Sequence, residues 1–248
     1  MATRADYFKL HFIVFLWGFS GILGKLVTIP AYEMVFYRGL LSAIGIGIVM
    51  LVVNERFKVT PKQFINLTAI GFIVAVHWLA FFESARVSNV SVSLVGFATN
   101  SLWTAILEPL FNKTSIKKFE LILGLVVIFG LYIIFSFDFQ YPFGLLLGVL
   151  SGFTSAIFAT LNSRLVRTIP AYTISFYEML GIFIGLGLFL PVYKTNWALD
   201  GTLHLAPSAA DWVYMIILSG ACSVYAYTTA VELMKKVSVF LIQLTLNL

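Results

Sequence analysis

The chain has 248 residues, of which 60% are hydrophobic and only 11% are charged. A soluble globular domain carries about 25% charged residues because its surface faces water, so this composition excludes a soluble globular protein. The isoelectric point of 9.3 would fit nucleic-acid binding in a soluble protein. Here the basic residues lie between hydrophobic segments and form no basic tail, which argues against a nucleic-acid partner.

Nine hydrophobic segments follow one another along the chain, separated by short linkers that carry most of the charges. Most have about 20 residues, the length that a helix needs to cross the apolar core of a bilayer. The alternating pattern of about 10 residues that is typical of membrane-spanning strands is absent. We therefore predict an all-α integral membrane protein in the lipid bilayer. The predicted helices cover residues 10–28, 34–53, 64–85, 90–111, 119–137, 142–163, 172–193, 210–233 and 237–248.

The basic residues are distributed unevenly between the two sets of linkers. If the N-terminus lies in the cytoplasm, 12 of the 16 Lys and Arg residues fall on the inside, and Arg38 lies within a helix. The outside then holds only Lys25, Arg86 and Lys194. Cytoplasmic loops of membrane proteins carry an excess of Lys and Arg, so the sequence predicts a multi-pass protein with a cytoplasmic N-terminus.

An internal repeat divides the chain. The stretch from Thr28 to Tyr32 (TIPAY) recurs from Thr168 to Tyr172, and the pair Phe36-Tyr37 recurs as Phe176-Tyr177 at the same offset of 140 residues. A later match, 90–94 with 237–241, has an offset of 147. We interpret residues 10–137 as a first repeat with helices one to five, and residues 142–248 as a second repeat with helices six to nine.

Five helices per repeat is an odd number, so the second repeat is expected to enter the membrane in the opposite direction. Inverted repeats of this kind are characteristic of secondary transporters. The first repeat continues beyond Asn100 for a further helix, whereas its counterpart Asn247 is followed by one residue. We therefore expect a ten-helix transporter fold of two inverted five-helix repeats, with the tenth helix missing from this chain.

Small residues recur at four-residue spacing in two predicted helices, as Gly39, Ala43 and Gly47 and again as Gly144, Gly148, Gly152 and Ala156. Such seams let helix backbones approach closely in lipid, which favours a packing role.

Four short motifs carry a family resemblance: Trp17-Gly18-Phe19-Ser20, Phe36-Tyr37-Arg38, Ser88-Asn89-Val90-Ser91-Val92 and Glu108-Pro109. With them the chain resembles the EamA-type members of the drug/metabolite transporter superfamily. The resemblance implies ten helices in two EamA repeats and a central cavity lined by both. It also implies export of amino acids or related small metabolites across a bacterial plasma (inner) membrane.

Polar side chains at mid-membrane depth are costly and mark candidate sites. Asn100 lies about ten residues into its helix, hence about 15 Å deep, and Asn247 is its repeat counterpart. His77 also lies near mid-depth and could bind a carboxylate or exchange a proton during transport. For both amides the alternative is an interhelical hydrogen bond, and for His77 a structural hydrogen bond.

Arg38 and Glu178 are equivalent under the offset of 140. Arg38 could hold a carboxylate group, and Glu178 could hold an amine or a proton. Trp17, Tyr37 and Trp78 could form an aromatic wall around a small-molecule substrate, although any one of them could serve packing instead. His77 and the buried carboxyl groups make proton coupling a hypothesis. The sequence indicates no oligomeric state.

Two other classes of function compete with a carrier. A membrane channel or scaffold is one, although the sequence lacks charged pore rings and a filter-like loop. A rhomboid-like intramembrane serine protease is the other, because Gly18-Phe19-Ser20-Gly21 matches its serine motif and His77 could act as a base. A catalytic pair gives no reason for an inverted duplication, so we predict that the chain is not an enzyme. The sequence contains no metal-ligand cluster or cofactor motif, and we expect neither a metal nor a cofactor.

Overall fold

The computed structural model describes residues 2–135 and 140–247, and all regular structure within these ranges is helical. A 3-10 turn lies at Leu199–Gly201, and a π-helical segment lies at Leu218–Tyr227. The α-helices are α1 Arg4–Gly18, α2 Ser20–Leu26, α3 Ala31–Val52, α4 Pro61–Val87, α5 Val90–Phe97, α6 Asn100–Asn112, α7 Lys118–Phe135, α8 Pro142–Leu165, α9 Ala171–Asn196, α10 Ala209–Ile217, α11 Thr228–Leu233 and α12 Val239–Thr245.

Seven helical stretches in the described ranges are long and apolar enough to cross a membrane. They are Arg4–Leu26, Ala31–Val52, Pro61–Val87, Val90–Asn112, Pro142–Leu165, Ala171–Asn196 and Ala209–Leu233. The prediction of an all-α, multi-pass membrane protein is thus confirmed for the part of the chain that the structure describes. The predicted helices 119–137 and 237–248 correspond to α7 and α12, and their residues 136, 137 and 248 lie outside the described residues.

Several helices begin earlier than their hydrophobic segments, because polar capping residues start them. Thr3 and Asp6 form a capping box, so α1 begins at Arg4, six residues before the predicted start. Thr60 and Gln63 do the same for α4, with Pro61 in the first turn. In both boxes the side chains satisfy backbone N–H groups that would otherwise lack a partner at the helix start.

Two predicted helices are interrupted near their middle. The first is divided at Phe19 and the fourth at Ala98 and Thr99, where the backbone N–H groups bond to the carbonyl three residues back. The Thr99 hydroxyl donates to the same carbonyl of Gly96 as its own N–H does, at 2.8 Å. Local hydrogen bonding by such a side chain competes with the regular helical pattern, which explains a break that hydrophobicity alone does not predict.

Glycines let α4, α5, α8 and α9 pack with their backbones almost in contact. A Cβ atom at Gly148 of α8 would lie 2.9 Å from the Cα atom of Gly96 in α5. A Cβ atom at Gly71 of α4 would overlap the backbone carbonyl oxygen of Glu178 in α9. The packing role predicted for the small-residue seam of α8 is therefore confirmed at Gly148.

Helices α3 and α9 pack antiparallel through reciprocal contacts. A Cβ atom at Gly47 would lie 3.3 Å from the ring of Phe176, and one at Gly187 would lie 3.6 Å from the ring of Phe36. Gly47 and Gly187, like Phe36 and Phe176, are 140 residues apart. Each helix thus presents the same pair of residues to the other.

The loops at the two ends of this helix pair repeat the pattern. The Tyr37 hydroxyl donates to the carbonyl of Leu205 at 2.8 Å, in the loop after α9. The Tyr177 hydroxyl donates to the carbonyl of Phe57 at 2.6 Å, in the loop after α3. The two tyrosines are again 140 residues apart, so each binds the loop that follows the other one's helix.

Candidate functional site

A cavity of about 370 Å³ lies among helices from both parts of the chain. The first part contributes α1, α2, α3, α4 and α5 to its wall, and the second part contributes α8, α11, α12 and the π-helical segment. Its size falls in the range of about 300–1,000 Å³ that small-molecule sites occupy. The aromatic side chains in its wall are Trp17, Trp78, Phe81, Phe82, Phe97, Phe158 and Tyr227.

Arg38 is the charged group of the cavity wall. Its side chain is only 2% exposed, and its Nε donates to the Ser223 hydroxyl at 3.1 Å. The guanidinium carbon lies 3.8 Å from the centroid of the Trp78 ring, a cation–π contact that is worth about 2 kcal/mol or more when desolvated. Among the described residues, no carboxylate lies within ion-pair distance of Arg38.

His77 lies in the same wall with one ring nitrogen engaged. Its Nδ1 is 2.8 Å from the carbonyl oxygen of Ser151 and 2.9 Å from the Ser151 hydroxyl. A carbonyl oxygen can only accept, so Nδ1 carries the hydrogen in this contact. The other ring nitrogen of His77 is then available to a ligand, and Phe97 and Phe158 pack around the ring.

Trp17 and Ser20 bind the backbone where α1 meets α2. The Trp17 indole N–H donates to the carbonyl of Cys222 at 2.9 Å, which ties α1 to the π-helical segment. The Ser20 hydroxyl donates to the carbonyl of Trp17 at 2.7 Å. Ser20 and His77 both line the cavity, but their hydrogen bonds lead to Trp17 and Ser151 and do not join the two side chains.

The two asparagines of the repeat occupy different environments. Asn247 lines the cavity, and its Nδ2 donates to the carbonyl of Ala98 and to the Ser101 hydroxyl, each at 3.2 Å. Asn100 is fully buried outside the wall, and its Nδ2 donates to Oε1 of Gln243 at 2.9 Å. Gln243 itself lines the cavity, so Asn100 supports a wall residue from behind.

Glu178 also lies behind the wall. Its Oε2 accepts hydrogen bonds from the Tyr227 hydroxyl at 2.7 Å and from Nδ2 of Asn162 at 3.2 Å. Its other oxygen, Oε1, is buried without a hydrogen-bond partner among the described residues. Tyr227 and Asn162 both line the cavity, so two hydrogen bonds connect this carboxyl group to it.

The contacts of Tyr37 are made outside the cavity. Its hydroxyl binds the carbonyl of Leu205, and its ring packs edge-on against Trp212. The structure therefore brings five of the predicted residues together in the cavity wall and leaves Tyr37, Asn100 and Glu178 outside it. The five are Trp17, Arg38, His77, Trp78 and Asn247.

The polar wall residues that were not predicted from the sequence include Asn162, Tyr227 and Gln243. Asn162 and Gln243 carry amide groups within apolar segments, which is the same signal that singled out Asn100. Tyr227 offered no signal, because tyrosine is common in this chain, with 11 copies.

Comparison with known proteins places this arrangement in a family. Residues 7–136 match the EamA-like transporter family. The chain belongs to this family. A relative from Bacillus subtilis (strain 168), described as the uncharacterized transporter YxxF, is 22% identical over 213 residues, which cover 79% of this chain and 68% of the relative. A solved crystal structure superposes with a TM-score of 0.73 at 10% identity, over 98% of this chain and 84% of the other, and supports the fold.

As a member of the EamA-like transporter family, the protein is a membrane transporter, and the family resemblance read from its four motifs is confirmed. EamA proteins are transporters and not enzymes, which agrees with the separate hydrogen bonding of Ser20 and His77. In this EamA-like transporter the polar cavity is the natural candidate for the place where a solute binds.

Proposed function

We propose that this protein is a secondary transporter that exports amino acids or related small metabolites by alternating access. The observation that carries the proposal is the position of the cavity between the two parts of the chain. Arg38, His77 and Trp78 line it from residues 10–137, whereas Tyr227 and Asn247 line it from residues 142–248. A site shared by two halves can open to either side as the halves rock against each other.

Inverted repeats are part of this proposal, and the reciprocal contacts of α3 and α9 support them. In a two-fold symmetric interface, residue i contacts residue j and the equivalent of j contacts the equivalent of i. Gly47 with Phe176 and Phe36 with Gly187 follow this rule. Antiparallel packing of equivalent helices is what an axis in the membrane plane produces. The tenth helix stays a prediction.

The proposed location is a bacterial inner membrane with the N-terminus in the cytoplasm, supported by the uneven distribution of basic residues. In this orientation, hydrogen bonds at the outer end join α10 and α4 to the segment between α2 and α3. The Asp211 carboxylate of α10 accepts from the Thr28 N–H at 2.6 Å and from its hydroxyl at 2.8 Å. Arg86 of α4 donates to the carbonyl of Val27 at 3.2 Å. These bonds would have to break for the transporter to open outward.

Proton coupling is the proposed energy source, and Glu178 is the proposed carrier of the proton. Ionisable residues inside membrane spans commonly form proton relays. The carboxyl group has no cation within ion-pair distance among the described residues, and the Tyr227 hydroxyl joins it to the cavity. A proton that arrives at Glu178 would thus be one hydrogen bond away from the cavity wall.

A counterflow assay tests the transport proposal. The protein is placed in liposomes loaded with a panel of amino acids and small metabolites, beside a His77→Ala/Asn247→Ala variant and an Asn196→Ala control at the exposed end of α9. Saturable exchange that the double variant loses and the control retains is expected. Flux that does not saturate would indicate a channel, and the absence of any exchange by a folded protein would contradict the proposal.

A further inference from the structure

We propose that the cavity selects small organic monocarboxylates with an aromatic or branched apolar body, and that it does not require the ammonium group of an amino acid. This inference rests on the proposed function, because it narrows the substrates of the same cavity from amino acids and related metabolites to those related metabolites that lack an ammonium group. Three features of the wall, as the described residues form it, carry the inference: a cation with no carboxylate within ion-pair distance, the lack of an acidic side chain, and several aromatic rings.

The cation is Arg38. Arginine stays protonated in proteins, so the guanidinium brings a positive charge into the membrane-spanning region. Ser223 and the Trp78 ring stabilise it from two sides, but neither carries a negative charge. Membrane-embedded charges are normally paired, and a carboxylate from a ligand would supply the missing partner. The planar fork of N–H groups also matches the geometry of a carboxylate.

The wall contains no Asp or Glu among the described residues that form it. Glu178 lies behind Tyr227 and Asn162, which already donate hydrogen bonds to its Oε2. The ammonium group of a zwitterionic amino acid would therefore lose its hydration without meeting a carboxylate in the wall. A carboxylate that lacks an ammonium group avoids this cost, which favours it over the amino acid of the same shape.

The apolar body of the ligand would lie against aromatic rings. Trp17, Phe81, Phe97 and Phe158 line the cavity, and the polar groups in its wall are few in number. Aromatic rings prefer edge-to-face or offset contacts with one another, so a single-ring ligand fits such a wall. Nδ1 of His77 donates to Ser151, so the other ring nitrogen would accept a hydrogen bond from a hydroxyl group of the ligand.

Three compounds with the same ring and different charges test the inference: phenylpyruvate, phenylalanine and phenethylamine. Their binding to the purified full chain in detergent is measured by isothermal titration calorimetry. We expect phenylpyruvate to bind at least about tenfold more tightly than phenylalanine, and phenethylamine not to bind. Equal or tighter binding of phenylalanine, or any preference for the amine, would overturn the inference and leave the transport proposal standing.

Variants of Arg38 provide a second test of the inference. Arg38→Gln should weaken phenylpyruvate binding by at least about tenfold. Arg38→Lys should weaken binding less, because Lys keeps the positive charge and lacks only the planar arrangement of N–H donors. Arg167→Gln is the matched control, since Arg167 is exposed in the loop after α8. If Arg38→Gln does not fold, the comparison of the three compounds on the unaltered chain still decides whether the cavity prefers a carboxylate without an ammonium group.

Counterflow in liposomes separates this inference from the proposed function. Arg38-dependent binding of phenylpyruvate without any exchange would contradict the transport proposal and leave the ligand class intact. Failure of all three compounds to bind a folded protein would overturn the ligand class, whatever exchange other solutes show.

Discussion

Nδ2 of Asn100 donates a hydrogen bond to Oε1 of Gln243 across 2.9 Å, and this bond joins α6 to α12. Gln243 in turn donates to the Ser155 hydroxyl of α8 at 3.1 Å. A chain of hydrogen bonds therefore connects three helices at the cavity wall. The sequence left two roles open for Asn100, contact with the substrate or an interhelical bond, and the observed geometry favours the second.

The Asn100–Gln243 bond should be measurable as a coupling energy. Replacing both residues by Ala, singly and together, should reveal a coupling of about 0.6 kcal/mol and at most about 1.7 kcal/mol, as for other hydrogen bonds inside membranes. The free energy of unfolding in mixed detergent micelles provides the measurement. Asn100→Ala combined with Asn196→Ala, an exposed and distant site, should be additive. If the losses of unfolding free energy were also additive for Asn100→Ala and Gln243→Ala, the result would contradict the hydrogen bond between the two side chains.

Gly71→Ala should destabilise the protein, because the added methyl group would overlap the backbone carbonyl oxygen of Glu178. Backbone cannot move aside as a flexible side chain can, so we expect a loss of about 1–3 kcal/mol or more. The melting temperature in detergent measures the effect. Gly130→Ala is the control, since a Cβ atom at Gly130 meets nothing within 4 Å. Equal melting temperatures for the two variants would show that α4 and α9 do not pack as described.

Cross-linking can test the reciprocity of α3 and α9. In a Cys222→Ala background, Gly47→Cys with Phe176→Cys and Phe36→Cys with Gly187→Cys should both react with a short thiol cross-linker, because each pair is in contact. Mass spectrometry counts the remaining free thiols.

The control pair for this experiment is Gly47→Cys with Gly187→Cys. Its two residues should lie about 16 Å apart along the helix pair, which a short cross-linker does not span. Reaction of only one of the two test pairs would contradict the two-fold relationship.

The orientation can be read from the labelling of two exposed loop residues. Lys58 follows α3 and Thr202 follows α9, and both are exposed. A membrane-impermeant maleimide applied to intact cells should label Thr202→Cys and leave Lys58→Cys unlabelled until the membrane is opened. The reverse pattern would show that the N-terminus lies outside. The native Cys222 is buried and serves as the background.

Glu178→Gln should uncouple transport from the proton gradient. Gln has nearly the shape of Glu and can still accept from Tyr227, but it does not bind and release a proton at neutral pH. We expect counterflow to persist, since exchange needs no net proton movement, while uptake driven by an imposed pH gradient is lost. Both rates are measured in liposomes. Gradient-driven uptake that survives in the variant would remove Glu178 as the proton carrier.

The candidate site residues were chosen by their depth in the membrane, and they stay predictions. His77, Asn100 and Glu178 were chosen because counting residues along a helix gives their distance from its end. The same count does not say which face of the helix a side chain occupies. Helices that are apolar on all sides give no amphipathic stripe to indicate the buried face. As a result, the depth of the three residues did not predict that His77 lines the cavity whereas Asn100 and Glu178 lie behind residues that line it.

The amino-acid sequence alone was enough to predict that the chain spans a membrane, where most of its helices lie and which family it resembles. These properties depend on hydrophobicity, length and short motifs, which are local. The folded structure was needed to show that Arg38 packs against Trp78 with no acidic partner among the described residues, and that Gln243 lines the cavity where Asn100 was expected. Such neighbours are set by how far glycines let the helices approach and how each helix is rotated, which no single segment specifies.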